Sequence, residues 1–197
     1  MCIRDRVLAF ALRIDAALTG WIDKHCTFPN SMVDRIVPAT RDEDRARIAQ
    51  RLGVEDAWPV VGEPYLNWVI EDKFAAGRPA WEAAGATFVT NAAPYERLKL
   101  RMVNGPHSAL AYLGGLLGIA TIGEAAALPA LRGFLDDMMR CEIAPTLKGI
   151  PDVGLEGYRH RFLGRVVNPE LPQLTRQVAM DGMACARFVH AAQIVQP

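Results

Sequence analysis

Apolar residues change their spacing near residue 90, and this change limits the folds open to the chain. From residue 95 to about residue 147 they recur every three or four positions, which predicts helices. The longest apolar stretch, residues 108–123, is too short to cross a membrane and predicts a buried helix. Before residue 90, short apolar runs typical of strands occur as well. We therefore predict a strand-containing region followed by an all-helical region, and a mainly α chain.

The first region combines helices with short strand candidates. Helical spacing covers residues 7–24, and a charged helix covers residues 42–52, with Asp42 as its cap and Gly53 as its stop. The strand candidates are residues 27–38, which end in a loop, residues 58–61, residues 68–72 with Phe74, and residues 86–89.

Composition and charge narrow the classes of function. The 197 residues include 22 basic and 22 acidic ones, so the formal net charge is zero. No basic stripe favours nucleic-acid binding, and no polybasic segment favours a membrane surface. The four cysteines, Cys2, Cys26, Cys141 and Cys185, form no C-x-x-C pair, which argues against a zinc site or a redox dithiol. We expect reduced thiols in a cytoplasmic protein.

A group of polar side chains lies just ahead of the longest apolar stretch. On an ideal helix Glu96, Lys99, Asn104 and His107 fall within an arc of roughly 140°. The arc includes apolar residues, so we expect this face to be buried, and long charged side chains are rarely buried without a partner. The sequence Asn104-Gly105-Pro106 is typical of a new helix start with Asn104 as the cap, and a break there would change the arc.

This cluster supports two interpretations. A lysine buried among apolar residues has a lowered pKa and can act as a general base near neutral pH, while Asn104 and His107 donate hydrogen bonds to a developing oxyanion. Such a set could remove a proton from an alcohol without a metal. The alternative is a structural polar network near a helix start. The residues alone leave both interpretations open.

Glycines elsewhere in the chain do not form a nucleotide-binding motif. Gly114, Gly115 and Gly118 lie inside an apolar helix with no preceding strand, so close helix packing explains them better than a phosphate-binding loop. No G-x-G-x-x-G turn of the dinucleotide-binding type occurs in the sequence.

The order Lys-x-x-x-x-Asn-x-x-His from Lys99 to His107, preceded by Pro94-Tyr95-Glu96, resembles the active-site motif of the polyol-specific long-chain dehydrogenases, the mannitol dehydrogenase family. The resemblance extends over roughly residues 7–182. Further matching segments are residues 27–38, 59–74, 77–81, 107–114, 144–147 and 176–182.

This resemblance implies a zinc-independent, NAD- or NADP-dependent oxidoreductase that interconverts a sugar alcohol and a ketose. Residues 58–61 favour mannitol and fructose, whereas residues 99–102 favour fructuronate, a hexuronate. A small-molecule substrate and a monomeric intact protein are also implied. The implied roles are general base for Lys99, oxyanion donor for Asn104, substrate-orienting donor for His107, proton movement to the lysine for Glu96, cofactor contact for Asp34, and substrate contacts for Arg176 and Gln177.

The same resemblance divides the chain. Residues 7–90 correspond to the C-terminal part of a Rossmann-like dinucleotide-binding domain, and residues 91–197 to a helical substrate domain. The family's glycine-rich turn would lie before residue 1, so we expect a C-terminal fragment. Residues 1–6 resemble a translated sequencing adapter, and residues 183–197 depart from the family and lack a substrate-binding lysine. A non-catalytic helical module derived from such an enzyme is the competing class of function.

Overall fold

The computed structural model describes residues 3–147 and 154–180, which form two compact units. One unit contains the residues up to Asp34 together with Leu66–Tyr95, and the other contains Arg35–Tyr65 together with the residues from Glu96 onward. The helices are α1 (Ile3–Ile14), α2 (Ala16–His25), α3 (Asp42–Leu52), α4 (Ala93–Lys99), α5 (Gly105–Leu116), α6 (Ile122–Ala127), α7 (Pro129–Asp137), α8 (Leu155–Arg165) and α9 (Thr175–Ala179), and the strands are β1 (Ser31–Asp34), β2 (Asn67–Glu71) and β3 (Ala86–Val89).

Helices predominate in the described residues, and all three of their strands precede residue 90. The prediction of a mainly α chain is therefore confirmed. None of the helices among these residues combines the length and the apolar character that a membrane span requires.

Asp15 separates the first two helices. Its backbone is extended, with φ −159° and ψ 124°, and its carboxylate accepts a hydrogen bond from the Ala17 N–H at 2.8 Å. This is the geometry of an N-cap, so α2 begins directly after it. The helical spacing predicted over residues 7–24 is confirmed, but it is divided between two helices, because a carboxylate that can satisfy free N–H groups favours a new helix start.

The three strands form one small sheet in the order β1-β2-β3. β1 and β2 are antiparallel, with Met32 opposite Val69, whereas β2 and β3 are parallel, with Ile70 opposite Phe88. Met32, Val69 and Ile70 are buried. The predicted strands at residues 68–72 and 86–89 are confirmed, but only Ser31–Asp34 of the segment 27–38 belongs to the sheet.

Glu71 is a buried carboxylate at the end of β2. It accepts hydrogen bonds from the backbone N–H of Asn30 at 3.1 Å, from the Asn30 side-chain amide at 3.2 Å and from the Ala92 N–H at 3.1 Å. Burial raises the pKa of this carboxyl, but the hydrogen bonds from Asn30 and Ala92 outweigh burial, so the pKa of Glu71 lies below its usual value. Glu71 thereby holds the residue that precedes α4 against β2.

An apolar cluster lies at the centre of the second unit. Its fully buried members include Leu98, Met102, Leu110, Ile122, Leu135, Met139 and Phe162. Gly114 shows how closely the helices approach, since a Cβ atom at this position would lie 3.0 Å from Ala125 Cβ and 3.2 Å from Thr175 Cγ2. Close helix packing therefore explains Gly114, as predicted, but not the other two glycines. A Cβ atom at Gly115 would meet no atom within 4 Å, and Gly118 follows α5 with φ 72°.

The segment Arg35–Tyr65 contributes α3 and an irregular stretch. α3 spans the predicted residues and ends at Gly53 with φ 70°, although its N-cap is Arg41 and not Asp42. The predicted strand at residues 58–61 is wrong. Pro59 has no N–H to donate to a neighbouring strand, and its carbonyl instead accepts a hydrogen bond from Thr40 Oγ1 at 2.7 Å.

A buried ion pair joins this segment to the end of α8. Arg165 Nη2 lies 2.5 Å from Glu63 Oε1, and Arg165 Nε lies 2.9 Å from Glu63 Oε2. The same carboxylate accepts the Ile36 N–H at 2.6 Å, and the guanidinium carbon of Arg165 lies 4.0 Å from the centre of the Tyr65 ring. Only 4% of the Glu63 side chain and 10% of the Arg165 side chain are exposed. Two residues far apart in sequence are thus fixed to each other.

Candidate active site

The polar cluster predicted from the sequence lies on one continuous helical segment. α4 ends at Lys99, a π-helical turn covers Leu100–Asn104, and α5 begins at Gly105. The Gly105 N–H donates to the carbonyl of Leu100, five residues earlier. Asn104 has helical dihedral angles of φ −63° and ψ −41°, and its side chain makes no capping hydrogen bond. The predicted helix start capped by Asn104 is therefore wrong, because the chain continues through this point.

Pro106 accounts for the π-helical turn. Proline lacks an N–H and its ring crowds the carbonyl four residues earlier, so a regular α-helix is strained before it. A wider turn with five-residue hydrogen bonding relieves this crowding without ending the helix. The same arrangement recurs at Met138–Ile143, where the Ala144 N–H donates to Met139 O and Pro145 follows. The two π-helical turns also pack against each other.

The wide turn changes which side chains share a face. In an α-helix residues five apart are separated by roughly 140° around the axis. In a π-helix the hydrogen bond itself connects residues five apart, so Lys99 and Asn104 come closer to the same face. His107 follows three residues after Asn104 in α5, which places it on a neighbouring part of that face. By this backbone geometry, Lys99, Asn104 and His107 lie toward one side of the segment.

The face that carries these side chains is less buried than the sequence predicts. Leu98, Met102 and Val103 are buried in the apolar cluster, whereas Lys99, Asn104 and His107 are partly buried. Glu96 is exposed, which contradicts the prediction that it lies on a buried face. The physical reason is that Leu98, Met102 and Val103 turn toward the core, so the polar residues between them lie at its edge, where Leu100 is exposed as well. The prediction that Lys99 is buried is therefore wrong, because this side chain is only partly buried.

His107 contacts a core aromatic residue. The centres of the His107 and Phe162 rings lie 5.4 Å apart, and their planes form an angle of 76°. Nε2 of His107 is buried, and Phe162, in α8, has no exposed surface. Phe162 is not among the residues predicted from the sequence, because its only signal is a helical apolar position, which any core residue shares.

The predicted substrate-binding residues lie on α9, which packs against the helix of His107. Arg176 and Gln177 are both exposed. Thr175 anchors the start of α9, since its hydroxyl donates to Ile119 O at 2.8 Å, and Tyr112 of α5 donates to Ala179 O at 3.3 Å. The lysine substitution that the sequence analysis noted, and the atypical segment 183–197, lie outside the described residues.

Asp34, the predicted cofactor contact, belongs to the unit that contains the sheet. It is the last residue of β1, lies opposite Asn67 and is only 1% exposed. Asp34 is the residue predicted to contact the cofactor, and the sequence contains no glycine-rich turn that could cradle a pyrophosphate. Within residues 3–147 and 154–180, no group of three or more histidine, cysteine or acidic residues could hold a metal ion.

Family models match nearly the whole chain. The model described as the mannitol dehydrogenase Rossmann domain matches residues 1–83, and the one described as the mannitol dehydrogenase C-terminal domain matches residues 91–194. These matches fall on either side of residues 84–90.

Curated relatives include proteins with different names. The uncharacterized oxidoreductase YeiQ of Escherichia coli is 47% identical over 180 residues, covering 91% of this chain and 37% of that protein. The mannitol 2-dehydrogenase of Phaeosphaeria nodorum is 44% identical over 182 residues, covering 91% and 32%. The D-mannonate oxidoreductase of E. coli is 46% identical over 176 residues, covering 89% and 36%. The chain spans about a third of the length of these relatives.

A solved structure has a similar fold. The Pseudomonas fluorescens mannitol 2-dehydrogenase, in a ternary complex with NAD and D-mannitol, matches with a TM-score of 0.82 and 39% identity. The match covers 89% of this chain and 36% of that structure.

Proposed function

Because the chain belongs to the mannitol dehydrogenase family, we propose that it supplies the proton-transfer and substrate-binding part of an NAD(P)-dependent oxidoreductase that interconverts a sugar alcohol and a ketose. The observation that supports this proposal is the π-helical turn at Leu100–Asn104, which turns Lys99 and Asn104 toward the same side and continues into the helix of His107. A base and two hydrogen-bond donors in one place suit the removal of a proton from an alcohol.

In the proposed reaction Lys99, in its neutral form, takes the proton of the substrate hydroxyl. The oxygen gains negative charge as this proton leaves, and Asn104 and His107 stabilise that charge by donating hydrogen bonds. The C–H bond of the same carbon breaks with both electrons, and the carbon becomes the ketone carbon. A bound nicotinamide supplies the hydride acceptor for this step.

The other predicted site residues have supporting roles in this proposal. Glu96 lies three residues before Lys99 and is exposed, so it can pass the proton from the lysine to solvent. Arg176 and Gln177 are exposed on the helix beside α5 and can donate hydrogen bonds to substrate hydroxyl groups. Asp34 is proposed to contact the cofactor. The chain lacks a pyrophosphate turn of its own, so its residues fit the substrate side of such a site better than the cofactor side.

Mannitol and fructose are the first substrate pair that we propose. A hexuronate pair, D-mannonate and fructuronate, is the second, because a D-mannonate oxidoreductase is as similar to the chain as a mannitol 2-dehydrogenase is, at 46% and 44% identity. The two substrates differ by a carboxylate, so the discriminating contact must be a positive charge near one end of the substrate.

A chimeric protein tests the proposal. Residues 7–180 of this chain replace the corresponding third of the P. fluorescens mannitol 2-dehydrogenase, and NADH formation is followed by absorbance with D-mannitol or D-mannonate. We expect turnover of one of the two substrates. A chimera that folds, as judged by its thermal transition, and binds NAD, but turns over neither substrate would contradict the proposal and favour the non-catalytic module.

A further inference from the structure

We propose that Phe162 is a positioning residue that holds the imidazole of His107 in one orientation. The chemical consequence of this orientation rests on the proposed function, whereas the orientation itself does not. The inference starts from the contact between the two rings, which meet nearly at right angles at 5.4 Å between their centres. An edge-to-face contact is directional, so a rotation of either ring about its side-chain bonds weakens it.

Phe162 can set this orientation because it cannot itself move easily. It has no exposed surface and lies within the apolar cluster that includes Met102 and Leu110, on either side of His107 in sequence. Protein cores are densely packed, so a ring surrounded in this way keeps its rotamer. Nε2 of His107 is buried as well, so the imidazole lies at the edge of this core and not on an open surface.

Two arginines of α8 fix the helix that carries Phe162. Arg165, three residues after Phe162, forms the buried ion pair with Glu63, and Arg159, three residues before it, donates to Asp136 of α7. Only 7% of the Arg159 side chain is exposed. Ion pairs on both sides of Phe162 oppose rotation and sliding of α8. The position of Phe162, and with it that of the imidazole, is therefore set by the packing of α8.

A donor to an oxyanion must point at the oxygen as well as lie near it. Misplacement by about 1 Å can lower a catalysed rate about 100-fold. Loss of Phe162 would remove this directional contact, widen the range of orientations of the imidazole and reduce the fraction of molecules in which His107 is aimed correctly. The effect should therefore fall on turnover and not on cofactor binding.

Ring dynamics in the chain as it stands test the inference directly. In wild type, we expect the ¹³C relaxation of the His107 ring to give an order parameter near 0.85, the value of a rigid group, and in Phe162→Leu a value below about 0.6. Leu163→Ala is the matched control, since Leu163 is a buried neighbour on the same helix. If Phe162→Leu does not fold, Phe162→Met serves in its place, because the flexible methionine side chain adapts to an irregular core space. Equal order parameters in the folded variant and in wild type would overturn the inference.

Kinetics in the chimera separate positioning from stability. We expect Phe162→Leu to lower kcat by up to about 100-fold while changing KM by less than about 2-fold. In a His107→Ala background the same substitution should lower kcat no further, because its effect acts through the imidazole. If the losses in kcat from Phe162→Leu and His107→Ala are additive in an active chimera, the inference is overturned. An inactive chimera would contradict the proposed function instead, and the ring dynamics would then decide the present inference.

Discussion

At the scale of single residues, the candidate site consists of side chains with ordinary chemistry in an unusual backbone. Lys99, Asn104 and His107 are partly buried and share one face because a π-helical turn lies between the first two. A partly buried position suits a base that must reach both substrate and solvent. Glu96, exposed one helical turn earlier, is suited to exchanging protons with water.

We predict that Lys99→Ala lowers kcat of the chimera by about 10²- to 10⁴-fold, the usual contribution of a general base. The dissociation constant for NAD should stay within about 2-fold, because the proposed role of Lys99 is to take a proton and not to hold the cofactor. Turnover is measured by NADH absorbance and NAD binding by calorimetry.

Lys24→Ala is the control for this substitution. It removes the same type of side chain from an exposed position in α2. Near-normal turnover of Lys99→Ala would remove this lysine from the mechanism.

At the scale of elements, prolines and buried carboxylates determine how helices begin and continue. Pro106 and Pro145 each follow a π-helical turn, so proline widens these helices where it would end others. Glu71 acts at the start of α4, where it accepts the N–H of the preceding Ala92.

We predict that Pro106→Ala shifts the turn toward α-helical hydrogen bonding. Alanine restores an N–H at this position and removes the ring that crowds the carbonyl of Met102. Scalar couplings across hydrogen bonds should then show Gly105 N–H donating to Arg101 O and no longer to Leu100 O. Lys99 and Asn104 would move apart around the axis, and chimera turnover should fall while thermal stability is maintained.

An unchanged Gly105–Leu100 hydrogen bond in Pro106→Ala would show that packing, and not proline, maintains the turn. Pro94→Ala is the control, since Pro94 lies in the first turn of α4, where proline replaces no helical hydrogen bond.

We predict that Glu71 contributes a pH-dependent part of the stability. The pKa of this carboxyl is lowered in the folded chain, so its contribution is present above the unfolded value near 4.5 and is lost as pH falls through the lower, folded value. Urea unfolding of wild type and Glu71→Gln at several pH values measures it. The variant should be less stable by about 1–3 kcal/mol at pH 7, with a smaller difference near pH 3.

Glu82→Gln is the control for this titration, because the Glu82 side chain is 54% exposed. The pKa of Glu82 is also lowered, by a hydrogen bond from its own backbone N–H and by one from Arg78. We expect little change in stability from Glu82→Gln. If the stability difference between Glu71→Gln and wild type does not depend on pH, Glu71 stabilises the fold through packing and not through its charge.

At the scale of the whole molecule, contacts between distant residues complete the helical unit. Glu63 and Arg165 are 102 residues apart in sequence and form a buried, multiply hydrogen-bonded pair. Removing one partner leaves a buried charge without its counterion, which is more costly than the net value of the pair.

We predict that Glu63→Gln lowers the free energy of unfolding by about 3–5 kcal/mol, as measured by urea denaturation. The double variant Glu63→Gln with Arg165→Met should recover part of this loss, because no charge then remains buried. The exposed pair of Asp137 and Arg140 supplies the control. Asp137→Asn should change stability by less than about 1 kcal/mol. Equal effects of Glu63→Gln and Asp137→Asn would indicate that the first pair is open to water.

The sequence by itself determined the features that depend on local pattern and residue identity. It predicted the helical second region, the helix at residues 42–52 with its glycine stop and the strand at residues 86–89, because spacing and propensity act over a few neighbouring residues. It also identified the Lys-x-x-x-x-Asn-x-x-His order, since side-chain chemistry is fixed by the residue.

Tertiary structure decided what depends on partners. A proline can end a helix or widen it, and the packed π-helical turns selected the second outcome at Pro106. The exposure of Glu96 and the contact of Phe162 with His107 arise from the way in which helices distant in sequence share one core. The pairing of Glu63 with Arg165 has no local signal, because it forms only after those helices pack.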